Sequence, residues 1–223
     1  MATTEAPCPA PQPPAEPLPD CRLCPRLADF RDHWRASEPN WFNGPVPSFG
    51  DPAARLLVVG LAPGLRGANR TGRPFTGDWA GELLYTRLIA HGFARGPYGA
   101  DPADGLTLQG CMVSNAVRCV PPQNKPIAAE IAACRPFLAA RIAALPRLTH
   151  ILTLGRIAHE STVRALGLKP AAAPFAHGGV ALIGRLSVHA SYHCSRYNTN
   201  TGRLTPEMFD AVLARIAEDL SST

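Results

Sequence analysis

The stretch that decides the fold is ARLLVVGLAPGLRGANRTGRPFTGDWAGELLYTRLIAHG, residues 54–92. Its opening run, residues 54–60, puts aliphatic side chains on both faces, the pattern of a strand buried inside a parallel sheet. Its closing part, from about 78 to 92, sets Leu83, Leu84, Leu88 and Ile89 in a stripe at helical spacing and ends on Gly92, a residue suited to a left-handed cap. Between them lies a loop, residues 60–78, shaped by glycines and by Pro63 and Pro74, whose first carboxylate is Asp78. A loop joining a parallel strand to the next helix is where α/β proteins bind ligands. This one lacks the Gly-Lys-Ser/Thr of a P-loop and the spacing of a dinucleotide fingerprint, which argues against a nucleotide-binding enzyme.

The same alternation continues on both sides. DCRLCPRLADFRDHWRA, from Asp20, spaces Leu23, Leu27, Phe30 and Trp34 as a helix. GCMVSNAVRC (110–119) reads as a second strand, and the segment after its prolines runs helical from about Ile127, with Pro136 expected to kink or divide it. THILTLG is a third strand, RIAHESTVRALGL a helix, and ALIGRLSVHAS a pair of short strands or one bent strand. TPEMFDAVLARIAEDL closes the chain as a helix with Thr205 as N-cap and Pro206 in the first turn. The prediction is an α/β fold: three layers, α/β/α, around a central, mainly parallel four-stranded sheet.

At 223 residues the chain suits one domain, assigned to residues 20–223, with a full core. Residues 1–19 are rich in proline and poor in large apolar side chains, so they read as a disordered tail. The start lacks the features of a signal peptide, and no run approaches the roughly 20 apolar residues of a membrane span. A soluble, intracellular protein is expected. The net charge of +5, with 20 of the 22 basic residues arginine, is compatible with a polyanionic partner and suits phosphate recognition by the planar guanidinium fork.

Seven cysteines in a reducing compartment point to metal binding or plain burial rather than disulfides. Cys21 and Cys24 form a C-x-x-C at the start of a helix, which alone fits a redox dithiol, half a zinc site or half an iron–sulfur site. Cys119 ends the second strand and Cys134 lies in the following helix. As two pairs they supply the four thiolates of a zinc or a [4Fe–4S] site, although buried cysteines also serve as small hydrophobes.

Taken in order, CRLC, GLAPG, GRPFTGD, SNAVRCVPPQNKP, AAC and HASYHCSRYNTNTGRLT resemble the iron–sulfur uracil-DNA glycosylases of family 5 over most of the chain after the tail. The resemblance implies a monofunctional DNA repair enzyme, cytoplasmic and nucleoid-associated. It would excise uracil, and hypoxanthine or other deaminated bases, from DNA to leave an abasic site. It also implies a monomer with no membrane partner, and a structural [4Fe–4S] cluster on Cys21, Cys24, Cys119 and Cys134. Where family 4 relatives carry an acid in a GEAPG pattern this chain has Leu61, and Ala190 stands where a proline usually follows the histidine of the last motif. A strict, family 4-like uracil enzyme and a non-enzymatic iron–sulfur nucleic-acid binder are the competing readings.

The chemistry sets the roles. Breaking an N-glycosidic bond leaves a cationic sugar and an anionic base, and the base must first leave the stack. Taken alone, Asp78 before WAGELL is a good helix N-cap; the resemblance makes it the carboxylate that positions water and opposes the charge on the sugar. His189, at the head of the last loop, is assigned to the charge forming on a uracil oxygen, and the other histidines carry no role. Phe75 is the stacking platform and Asn115 the reader of the base edge, with backbone of Gly60, Ala62 and Gly64 lining the pocket. Arg66, Arg70, Arg73, Arg196 and Arg203 are candidates for phosphate contacts, and Tyr192 for filling the gap left by the flipped base.

Overall fold

A computed structural model describes residues 15–222. The elements run α1 (Pro25–Ser37), β1 (Phe49–Gly50), β2 (Leu56–Gly60), α2 (Ala68–Thr71), α3 (Trp79–Ala90), β3 (Ala94–Arg95), β4 (Thr107–Leu108), β5 (Cys111–Asn115), α4 (Ala128–Ala143), β6 (His150–Leu154), α5 (Arg156–Ala165), β7 (Val180–Ile183), β8 (Leu186–Ser191), α6 (Arg196–Asn200) and α7 (Pro206–Ser221).

The central sheet has the order β1-β5-β2-β6-β8-β7. Its inner strands β5, β2, β6 and β8 are mutually parallel and are the four expected from sequence. The sheet nevertheless has six strands, because antiparallel edges flank that core: two-residue β1 beside β5, and β7, which returns on β8 as a hairpin. Neither edge is buried on both faces, so neither carries the continuous aliphatic run that marks an inner strand.

Alternation along β2 divides the core between two layers. Leu56 and Val58 face a cluster with Leu84 and Leu88 of α3 and Phe209, Leu213 and Ile216 of α7. Leu57 and Val59 face the other side, with Leu138 and Ile142 of α4 and Val188 of β8. The result is the expected α/β/α sandwich. A third, smaller cluster lies at the end of the sheet, where Leu27 of α1 meets Val117, Cys134 and Phe137.

Three local expectations change. Helix α1 starts at Pro25 rather than Asp20, with Cys24 as its N-cap, so the C-x-x-C sits in the entry turn. Helix α4 runs unbroken through Pro136: the ring removes one backbone donor, and packing of Phe137 and Leu138 into two clusters holds the rest. The expected disordered tail lies outside the described residues up to position 14. From there the chain is anchored by Glu16, which pairs with buried Arg118 at 2.8 Å and with Arg141 at 2.6 Å.

Candidate active site

The C-terminal ends of the parallel strands face one cavity of about 390 Å³, bordered among others by Leu61, Phe75, Asp78, Asn115, His193 and Arg196. The backbone brings the first four together. Beyond their paired strands, Ala116 N donates to Gly60 O and Val117 N to Leu61 O, both at 2.9 Å, which holds Asn115 beside the start of the loop. Asn115 is 2% exposed, and among the described residues its Oδ1 has no hydrogen-bond partner. A buried acceptor in a cavity wall can pair with a donor on a bound base.

Phe75 is held in a backbone conformation that non-glycine residues rarely adopt, with φ 53°. Such strain persists only where neighbours fix it, and here they do. Tyr98 Oη donates to Phe75 O at 3.1 Å, Tyr85 Oη to Pro74 O at 2.6 Å, and Arg73 Nε to Thr76 Oγ1 at 2.7 Å. Gly60 stands behind the cavity rather than on its wall. A Cβ there would strike both Asn115 Oδ1 and the Phe75 ring, so the glycine gives these two side chains their room.

Asp78 has a divided carboxylate. It caps α3, with Gly81 N donating to Oδ1 at 3.2 Å, while Oδ2 lies against Gly64 and Gly67 of the loop. Burial raises its pKa above the usual carboxylate value, and the amides of Gly81 and Ala80 offset part of that rise. The capping role read from sequence is therefore real, and it leaves one oxygen for other work.

The histidine assignment changes. His189 pairs with Leu152 inside the sheet, two residues short of the end of β8, and does not border the cavity. Its ring stacks on His150 instead, at 5.5 Å. His193, two residues beyond the strand, borders the cavity with its ring centroid 5.9 Å from that of Phe75. Asn198 Nδ2 donates to His193 O at 2.8 Å and orients the turn. Burial pushes the His193 imidazole down to about 4, so it is neutral near pH 7. The missed signal was positional: in a parallel sheet the ligand face lies beyond the strand ends, which favours the histidine after the aliphatic run over the one within it.

Among the basic candidates, Arg73 is withdrawn from the surface. It is 4% exposed, donates to Asp104 at 2.7 and 2.8 Å, and lies over the rings of Phe49, Tyr85 and Tyr98. Arg66, Arg70, Arg196 and Arg203 are exposed. Arg196 packs over Trp79, an exposed residue at the cavity mouth that the sequence reading had not singled out, and whose Nε1 donates to Thr199 Oγ1. Tyr192 is not a free wedge: its ring stacks on His177 and lies under Arg203, each at 4.8 Å.

Away from the cavity, Cys21, Cys24, Cys119 and Cys134 converge on one small space between α1, the turn after β5, and α4. The Arg118 backbone N–H donates to Cys134 Sγ at 3.3 Å, and Arg31 Nη1 approaches Cys119 Sγ at 4.0 Å. Cys111 and Cys194 are buried in the core.

Comparison with known proteins identifies the family. The chain is 48% identical to the type-5 uracil-DNA glycosylase of Thermus thermophilus over 200 residues, 86% of this chain and 90% of that protein. It is 39% identical to the type-5 enzyme of Pyrobaculum aerophilum over 206 residues, 91% and 90% of the two chains. A type-4 uracil-DNA glycosylase of Saccharolobus solfataricus matches over a shorter span, 34% identity across 56% of this chain. The sequence model of the uracil DNA glycosylase superfamily covers residues 47–217, from the strand before the glycine loop to the last helix, and the chain belongs to that superfamily.

Proposed function

We propose that Asp78, His193, Asn115 and Phe75 divide the excision of uracil from DNA between the sugar and the base. The chain is a hydrolytic DNA glycosylase by family, and the open question is which side chains do the work. The observation that carries this reading is the convergence on one cavity of a carboxylate, a neutral imidazole, an aromatic ring and an amide with an unpartnered oxygen.

In the reaction the C1′–N1 bond breaks and its electron pair leaves with the uracil, so positive charge develops at C1′ and negative charge over N1 and the base oxygens. Asp78 opposes the first charge and orients a water, whose oxygen bonds to C1′. The proton released passes to the carboxylate or to solvent. Its raised pKa makes it a better proton acceptor than an exposed aspartate. His193, neutral, donates its ring N–H to a base oxygen, where the hydrogen bond strengthens as charge grows without a full proton changing hands. Asn115 offers donor and acceptor to the base edge, and the Phe75 ring supports its face.

Leu61 leaves an apolar wall where the type-4 pattern has an acid. An apolar wall rejects a different base less sharply than a hydrogen-bonding one, so hypoxanthine and other deaminated bases belong to the proposed range. Arg66, Arg70, Arg196 and Arg203 would hold phosphates along the mouth. The enzyme would act as a monomer on DNA in the cytoplasm, with residues 20–223 as one domain; among the described residues no helix is long and apolar enough to cross a membrane.

The four convergent thiols fit a [4Fe–4S] cluster. Buried Arg31 adjoins the site, with Nη1 4.0 Å from Cys119 Sγ, and such a cation balances the negative charge of a thiolate-bound centre. Cys21 and Cys24 would hold it from the entry to α1, Cys119 from the turn after β5, and Cys134 from α4. The cluster would tie these segments together and take no part in hydrolysis.

The test is to incubate the purified protein with duplex oligonucleotides carrying one uracil or one hypoxanthine, followed by alkaline cleavage. Strand breaks at both bases are expected; breaks at uracil alone would restrict the range to uracil, and breaks at neither would defeat the reading.

A further inference from the structure

His189, displaced from the base cavity, belongs to a second constellation. Its Nε2 lies 4.0 Å from Asp219 Oδ2, and so does Nε2 of His150. One ligand atom from each of the three residues falls within 4.8 Å of the others. We propose that His150, His189 and Asp219 bind one divalent transition-metal ion of the zinc type, which cross-links the end of α7 to the sheet.

Two observations support this. His189 is 1% exposed, and among the described residues its buried Nε2 has no hydrogen-bond partner, a poor environment for a ring nitrogen that nothing coordinates. His150 is oriented from behind. Thr149 Oγ1 lies 2.9 Å from its Nδ1 and 3.4 Å from Arg55 O. The contact to Nδ1 fixes the ring and leaves Nε2 as the nitrogen that faces Asp219.

Two histidines and a carboxylate are a common donor set for zinc and related ions, with further positions left for water. At bonds of about 2.0 to 2.1 Å, tetrahedral ligand atoms stand roughly 3.3 Å apart. The two 4.0 Å separations close by a small movement of Asp219, which is 46% exposed on the last turn of α7, and the third, between the two rings and no more than 4.8 Å, by rotation of the imidazoles. Arg55 and Arg215 are the cations facing the pair of rings, and Arg55 is turned to donate to Leu220 O at 2.9 Å. The site stands apart from both others: His150 opens β6, at the end of the strands opposite the base cavity, and no cysteine takes part.

The test uses the cluster-loaded protein and needs no catalytic variant. Wild type and Asp219→Asn are equilibrated with micromolar free zinc, zinc and iron are counted per chain, and thermal unfolding is followed. Wild type is expected to take up one zinc with unchanged iron and to unfold at a higher temperature than without zinc. Asp219→Asn, altered at a half-exposed position and so able to fold, is expected to lose both the zinc and the shift while excising uracil at the wild-type rate. No uptake by wild type, or equal uptake by wild type and Asp219→Asn, would overturn the proposal and leave the three residues as an ion-paired cluster only.

Discussion

The Asp78 carboxylate occupies the space that a side chain on Gly67 would need: an ideal Cβ there lies 2.5 Å from Asp78 Oδ2, and one on Gly64 lies 2.9 Å from it. The glycines of the loop thus make room for an acid rather than a phosphate. In Gly67→Ala the carboxylate must move. Misplacing a catalytic group by about 1 Å costs on the order of 100-fold in rate, so excision is expected to fall by that order with uracil-DNA binding largely kept. A Gly67→Ala enzyme with the wild-type rate would show that the position of Asp78 does not matter.

Histidine variants separate the two sites. His193→Ala removes the ring donor proposed for the base, and loss of one such donor costs about 100-fold or more in kcat. His189→Gln leaves that cavity intact and is expected to excise uracil at the wild-type rate, at some loss of thermal stability. Single-turnover rates on a uracil duplex check both, and the reverse ranking would restore the assignment made from sequence.

Arg73 and Asp104 form a buried pair under three aromatic rings. Arg73→Ala leaves Asp104 without its cation, and breaking a buried pair from one side costs about 3 to 5 kcal/mol. A large fall in unfolding temperature at neutral pH is expected. The Arg73 guanidinium holds the Asp104 carboxyl well below the usual range. The stabilisation is therefore present above the unfolded carboxylate value of about 3.9 and is lost as the pH falls from there through the folded value. Unfolding curves from pH 7 down to pH 3 should show the gap between wild type and variant narrowing at the acid end.

Arg196 tests the mouth of the cavity. If it holds a phosphate, Arg196→Ala lowers affinity for uracil-containing and undamaged duplexes alike and reduces the slope of log K against log salt by about 1. Binding titrations at several salt concentrations read this directly, and an unchanged slope would make Arg196 a packing partner of Trp79 alone.

Much of the fold was legible because each inner strand is an unbroken aliphatic run and each helix carries a stripe and a cap. The edges were not, since two-residue β1 and half-exposed β7 lack any such run. Residues of the glycine loop and the end of β5 fall on one cavity, as their places in the sequence suggest, because adjacent parallel strands bring their ends together. His193 could not be picked out in that way, as two histidines four positions apart are both polar residues near a strand end, and only the register of β8 decides which one clears the sheet. Arg73 misled for a related reason: sequence shows a basic residue in a loop, while burial depends on Asp104, thirty-one positions away. The trio of His150, His189 and Asp219 joins two strands to the last helix and has no local signature.

Asp78 carries the charge on which the proposed excision depends. Asp78→Asn keeps the helix cap, because asparagine caps as well as aspartate, and removes only the charge. Single-turnover excision of uracil from a duplex, measured beside binding of the same duplex, is expected to fall by orders of magnitude in this variant with affinity retained. The wild-type rate is expected to rise with pH through a carboxylate titration displaced above the ordinary aspartate value. An Asp78→Asn enzyme that excises uracil at the wild-type rate would contradict the account.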